Sequence, residues 1–144
     1  MKKAIYLIIF AAVIFYLWND FTHYTDSASG CRIKIATGLE FNNRTIKRGL
    51  EALKYGYPEK YALVCQNVGT IRTGIACGGF GGGCYHPGMK GQIYVSTAQG
   101  AVLESAAIIV HEYCHLNQER EGRKFIEDEC YREDDEVFKT LVQF

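Results

Sequence analysis

Polar and apolar residues alternate with different periods along this chain, and each period predicts a different element. From Ala4 to Trp18 no residue is charged and nearly all are apolar. A run hydrophobic on every face in so short a chain fits a membrane better than a protein core. Lys2 and Lys3 precede it, and Asn19 and Asp20 close it. Residues 1–21 therefore read as a signal peptide or an N-terminal signal anchor, and either one sends the remainder across the membrane. Ser27-Ala28-Ser29 offers a small-x-small candidate for cleavage. It lies well beyond the bulky Tyr16-Leu17-Trp18 end of the run, which favours a retained anchor with both lysines inside. Residues 22–30 are polar and aperiodic and predict a linker, with His23 a solvated part of it.

A domain over 31–144 follows. Alternation in Cys31-Arg-Ile-Lys-Ile-Ala predicts a strand ending at Gly38. Between Asn43 and Tyr55, Ile46, Leu50 and Leu53 recur at helical spacing against basic and acidic residues. This predicts an amphipathic helix capped at Asn42 or Asn43 and stopped by Gly56 and Pro58. Tyr61–Asn67 and Thr70–Ile75 are rich in β-formers around Val68-Gly69 and predict a hairpin. Gly91–Ser96 predicts a short strand whose free edge could pair with an extended peptide. A helix capped near Ser96 or Thr97 then carries the apolar run Ala101–Val110. After Gly122, a last helix is expected from Lys124 to Val142, with Ile126, Cys130, Val137 and Leu141 on its inner face.

Composition narrows the functional classes. The 144 residues carry 16 basic and 16 acidic side chains, so no basic field points to nucleic acid. Six cysteines agree with an oxidising compartment. Cys77 and Cys84 enclose five glycines and one phenylalanine, and a local bridge closing that loop is the simplest reading; a phosphate-binding loop lacks its Lys-Ser/Thr ending. Cys114 and Cys130 would staple the last two helices together. That leaves Cys31 and Cys65 to join the first strand to the second.

The candidate chemistry lies at 111–115, His-Glu-Tyr-Cys-His. Two histidines four residues apart on a helix present both imidazoles on one side, with a carboxylate beside them. That is the arrangement for holding Zn²⁺ and activating a water. His111 and His115 are the expected metal ligands and Glu112 the general base. A third ligand is sought among the acids of the last helix, most of which are its wet face. At about 100° per residue, Glu127 falls at the edge of the apolar stripe, one turn before Cys130, whereas Glu129 points away from its centre. Glu127 is favoured, with Glu129 the alternative. Tyr85, His86 and Tyr131 are candidates for an oxyanion donor by residue type alone.

His111, Glu112, His115 and a downstream glutamate on a following helix resemble the gluzincin class of HExxH zinc metallopeptidases, over roughly residues 91–142. Glu127-Asp-Glu-Cys130 resembles the second motif of that class, although the acid often found four residues after the ligand is replaced by Tyr131. The metzincin pattern is excluded by Gln118 and Glu121. The resemblance implies an α+β, minimal zincin-like domain: a small mixed sheet with the HExxH helix and a following ligand helix, stapled by disulfides. The expected function is zinc-dependent hydrolysis of peptide bonds outside the cytoplasm, on a peptide or protein substrate, with the domain tethered to the membrane or secreted. The alternative is a non-catalytic zinc-stabilised binding module, and a disulfide-built structural domain with an incidental motif is a third.

Overall fold

The computed structural model of the protein describes residues 2–37, 43–73, 77, 82–98 and 100–143. Gly38, Asn42, Ile75 and most of the glycine loop, each of which enters an expectation above, lie outside the described residues. Among the described residues the architecture is α+β, with five helices and one mixed five-stranded sheet. In chain order the elements are α1 (Lys2–Thr22), β1 (His23–Asp26), β2 (Cys31–Thr37), α2 (Asn43–Gly56), α3 (Pro58–Asn67), β3 (Thr70–Thr73), β4 (Gly82–Cys84), β5 (Gln92–Ser96), α4 (Val102–Arg120) and α5 (Glu127–Val142). The sheet order is β1-β2-β3-β5-β4. β2, β3 and β5 run parallel, and β1 and β4 flank them as antiparallel edges. Parallel neighbours need a crossover, and α2 and α3 provide the one between β2 and β3.

Alternation along the central strands turns Ile33, Ile35, Ile71, Ile93 and Val95 into the core. There they meet Ile46, Leu50 and Leu53 of α2 and Ile109 and Val110 of α4. α5 packs on α4 through Val137 and Leu141. Gly122, at φ +67°, ends α4. Its left-handed conformation is one that a Cβ disfavours, and Arg123 N–H closes back on the Gln118 carbonyl at 2.9 Å. This reversal returns the chain so that α5 lies against α4.

Four expectations need correction. Residues 22–30 are not a loose tether: α1 continues to Thr22 and β1 pairs with β2 at once, His23 opposite Lys34 and Asp26 opposite Cys31. Short polar strands escape a hydrophobic-period search because half of their positions face water. Tyr61–Asn67 is helical, not a strand. Pro58, read as a stop for α2, occupies the first turn of α3, where its missing N–H costs nothing, and Tyr61 and Val64 are buried three residues apart while Leu63 is exposed. The first-to-second-strand bridge is therefore a strand-to-helix bridge, from Cys31 on β2 to Cys65 on α3. Third, β5 is not an edge; β4 covers it, with Gly83 opposite Val95. Finally, α4 starts at Val102 and α5 at Glu127, later than expected.

The remaining bridges join Cys77 to Cys84 and Cys114 to Cys130. α1 is long and apolar enough to cross a membrane, from Lys3 to Thr22, with none of it buried against the domain.

Candidate metal centre

α4 places His111, Glu112 and His115 within one turn and buries all three. α5 crosses this face with Glu127, Tyr131 and Asp134, which are spaced four and three residues apart and so share one side of their helix. The Nε2 atoms of His111 and His115 are 3.2 Å apart. The Glu127 Oε2 lies 3.4 Å from the first and 3.3 Å from the second. The three donor atoms form a nearly equilateral triangle.

That triangle has the size of a zinc coordination face. Zn–N and Zn–O bonds of about 2.0–2.1 Å in a tetrahedron put ligand atoms about 3.3–3.4 Å apart. The donor set, two imidazoles and one carboxylate, is one that zinc takes in open catalytic sites. Glu129 is elsewhere: it takes Arg123 at 2.8 Å and Gln118 at 3.2 Å, and Arg123 holds its carboxyl below the usual range.

Both imidazoles are also oriented from behind. His111 Nδ1–H donates to Asp134 Oδ2 at 2.8 Å, and His115 Nδ1–H to Gln118 Oε1 at 3.3 Å. With the proton on Nδ1, each Nε2 keeps its lone pair for the metal. Neither holder was identified from sequence. Asp134 is seven residues beyond Glu127, two turns on, so it reaches the histidine from the same face as an acid at four would. Gln118 is fully buried, and its amide also takes Ile126 N–H at 3.1 Å and gives to the Ile126 carbonyl at 3.2 Å. The signal for both was helical spacing, three residues from His115 and seven from Glu127. Tyr131 packs against the His111 ring with centroids 4.8 Å apart, and Phe125 against His115 at 5.4 Å.

Glu112 faces β4. A Cβ added to Gly83 would lie 2.6 Å from Glu112 Oε1 and 2.6 Å from Ile108 Cγ2, so only glycine lets this edge strand come so close to the carboxylate. Glu112 Oε2 is buried with no hydrogen-bond partner among the described residues, which leaves it available to a water or a substrate group. Burial, with the charges of Glu127 and Asp134, pushes the Glu112 carboxyl up to about 8. A bound cation reverses part of that effect. Groups so perturbed cluster at functional sites.

Of the three residues proposed as oxyanion donors, only Tyr131 touches the histidines. The Tyr85 hydroxyl donates to Glu119, and His86 stacks edge-on with Tyr94 beside Cys84. A groove of about 250 Å³ adjoins the centre, with Ile108, Asp134 and Phe138 in its walls. A larger cavity of about 480 Å³, beside Tyr85, Leu116 and Glu119, contains none of the triangle's residues. Two other groups of potential ligands, Cys77-Cys84-His86 and Cys114-Glu129-Glu133, include bridged cysteines. A sulfur in a disulfide is no thiolate, so these sets do not compete for the ion.

No protein-family model, curated protein or solved structure matches the chain. Its own geometry has to carry the functional reading.

Proposed function

We propose that this protein is a zinc metallopeptidase with a minimal zincin-like domain of gluzincin type, anchored in a membrane by α1 with the domain outside the cytoplasm. The observation that carries the reading is the triangle of His111 Nε2, His115 Nε2 and Glu127 Oε2, with edges of 3.2–3.4 Å. A zinc ion held there supplies a Lewis acid that acidifies water and polarises a carbonyl. His111, His115 and Glu127 bind it, while Asp134 and Gln118 keep the imidazoles in the right tautomer. Glu112, buried beside them and unpaired at Oε2, accepts the proton of the attacking water. It returns that proton to the amine as the C–N bond breaks. Tyr131, whose ring lies against His111, is the residue we assign as donor to the oxygen that gains charge.

The peptide is expected along β4 rather than β5. β4 is the outer strand among the described residues, on the Glu112 side of the sheet, and an outer strand can accept an added one. Retention of α1 is supported by its connection to the domain. Arg32 donates to Asn19 Oδ1 at 3.1 Å, Asn43 to the Phe21 carbonyl at 3.0 Å, and Lys47 to the Asp20 carbonyl. Cleavage at Ser27–Ser29 would also sever β1 from the sheet. The three disulfides agree with an oxidising exterior.

A zinc-stabilised binding module has use for the triangle but none for a buried, unpaired Glu112. Glu112→Gln separates the two readings. It should leave zinc at one equivalent per chain and abolish cleavage of a diverse peptide library. Wild-type protein with full zinc and no cleavage of any peptide would end the enzyme reading.

A further inference from the structure

The face of the sheet turned away from the core is basic. Ile33 and Ile35 point inward, so their neighbours Arg32 and Lys34 point outward and are exposed. Strand register puts Thr25 opposite Arg32, His23 opposite Lys34, and Arg72 opposite Ala36. Across to β5 the same face continues with Gln92 and Tyr94. These rows contain three cationic side chains and no carboxylate. α1 leaves the domain along this face and bounds a cleft of about 530 Å³. Phe15, Trp18 and Asn19 of the helix form one side, and His23, Arg32 and Lys34 the other.

One wall of the cleft thus belongs to the membrane-spanning helix and is aromatic, while the facing wall is cationic. Asn19 takes one N–H of Arg32 at 3.1 Å, holding the guanidinium at the cleft. Lys34 has no carboxylate partner among the described residues. Trp18 lies near the end of the apolar run, the depth at which tryptophan marks the headgroup region. A planar fork and a point charge there suit phosphate oxygens, and Phe15 suits acyl chains.

We infer that this cleft binds the phosphate headgroup of an anionic phospholipid from the leaflet that α1 enters, seating the domain on the membrane surface. The inference rests on the anchor reading but not on the zinc chemistry. The full chain in detergent is offered equimolar phosphatidylglycerol and phosphatidylcholine, and bound lipid is read by native mass spectrometry. A several-fold preference for phosphatidylglycerol is expected. It should fall to near parity in Arg32→Gln/Lys34→Gln, fall partway in each single variant, and persist in Lys139→Gln. Both replaced side chains are exposed, and intact disulfides with an unchanged melting temperature check the fold. Equal retention of the two lipids, a preference indifferent to Arg32 and Lys34, or complete displacement of lipid by inorganic phosphate would each overturn the inference. Alkaline carbonate extraction tells the two failures apart. Release of the chain from membranes overturns the anchor and this site with it, whereas retention without lipid preference overturns the site alone.

Discussion

At the scale of single residues, the centre divides its work between atoms that face the metal position and atoms that aim them. Glu127 belongs to the first group and Asp134 to the second, and zinc affinity tells them apart. Glu127→Gln removes one of the three proposed ligands and should lower affinity steeply. Asp134→Asn keeps all three but loosens His111, and losses of about 10-fold to 100-fold are typical of such supports. Glu129→Gln, which touches Arg123 and Gln118 instead, should leave affinity close to wild type. Competition against a chromophoric chelator measures all three, and an unaffected Glu127→Gln would overturn the ligand assignment. Gly83 tests the base rather than the metal. A methyl group there meets Glu112 and Ile108 at 2.6 Å, so Gly83→Ala must displace the carboxylate or the strand. Zinc content should hold while kcat falls; unchanged kcat would mean that β4 does not set the position of Glu112.

At the scale of elements, what brings the triangle together is the packing of α5 on α4, and the Cys114–Cys130 bridge spans the two, 16 residues apart. Closing a loop of that size stabilises a fold by roughly 3 kcal/mol. The double replacement Cys114→Ser/Cys130→Ser should therefore lower the chemical unfolding midpoint. It should also weaken zinc binding beyond what that loss explains, since Glu127 rides on α5. Wild-type zinc affinity in a measurably destabilised variant would show that Gln118 and the Gly122 turn position α5 unaided. The elements readable from sequence were those with a strong period and a long run, α2, β2 and the body of α4. The HExxH spacing was readable because it is local to one helix turn. α3 was misread because Tyr61, Leu63 and Val64 suit either period, and only the partner surfaces decide which of them is buried. β4 could not be foreseen from three residues, two of them glycine. Asp134 was not legible because it lies two turns beyond Glu127, and only the packing of α5 on α4 shows that its carboxylate meets His111.

At the scale of the whole molecule, the apolar helix α1 and the proposed catalytic centre are linked through β1, and one buried carboxylate ties β1 to the rest. Asp26 receives Lys54 Nζ at 2.9 Å, the Tyr61 hydroxyl at 2.9 Å and the Ser29 hydroxyl at 2.7 Å, joining β1 to α2 and α3. Tyr24 meets Tyr61 at 3.0 Å in the same network. The Ser29 and Lys54 hydrogen bonds hold the Asp26 carboxyl well below the usual carboxylate range, outweighing its burial. The ionised form is thus favoured in the folded protein, whereas an unfolded aspartate takes up a proton near pH 4. Stability from this group is fully present above about pH 4 and is lost progressively below it, as the pH falls towards the depressed folded value. In Asp26→Asn the group no longer titrates. The variant should be less stable than wild type near neutrality, and the gap should narrow between about pH 5 and about pH 3. Melting curves of the two proteins at matched pH values measure that gap, and the comparison cancels other carboxylates such as Glu119 and Glu129, which are also held low. A gap that stays constant through this range would mean that Asp26 contributes by packing alone, and that its charge does not bind β1 to the domain.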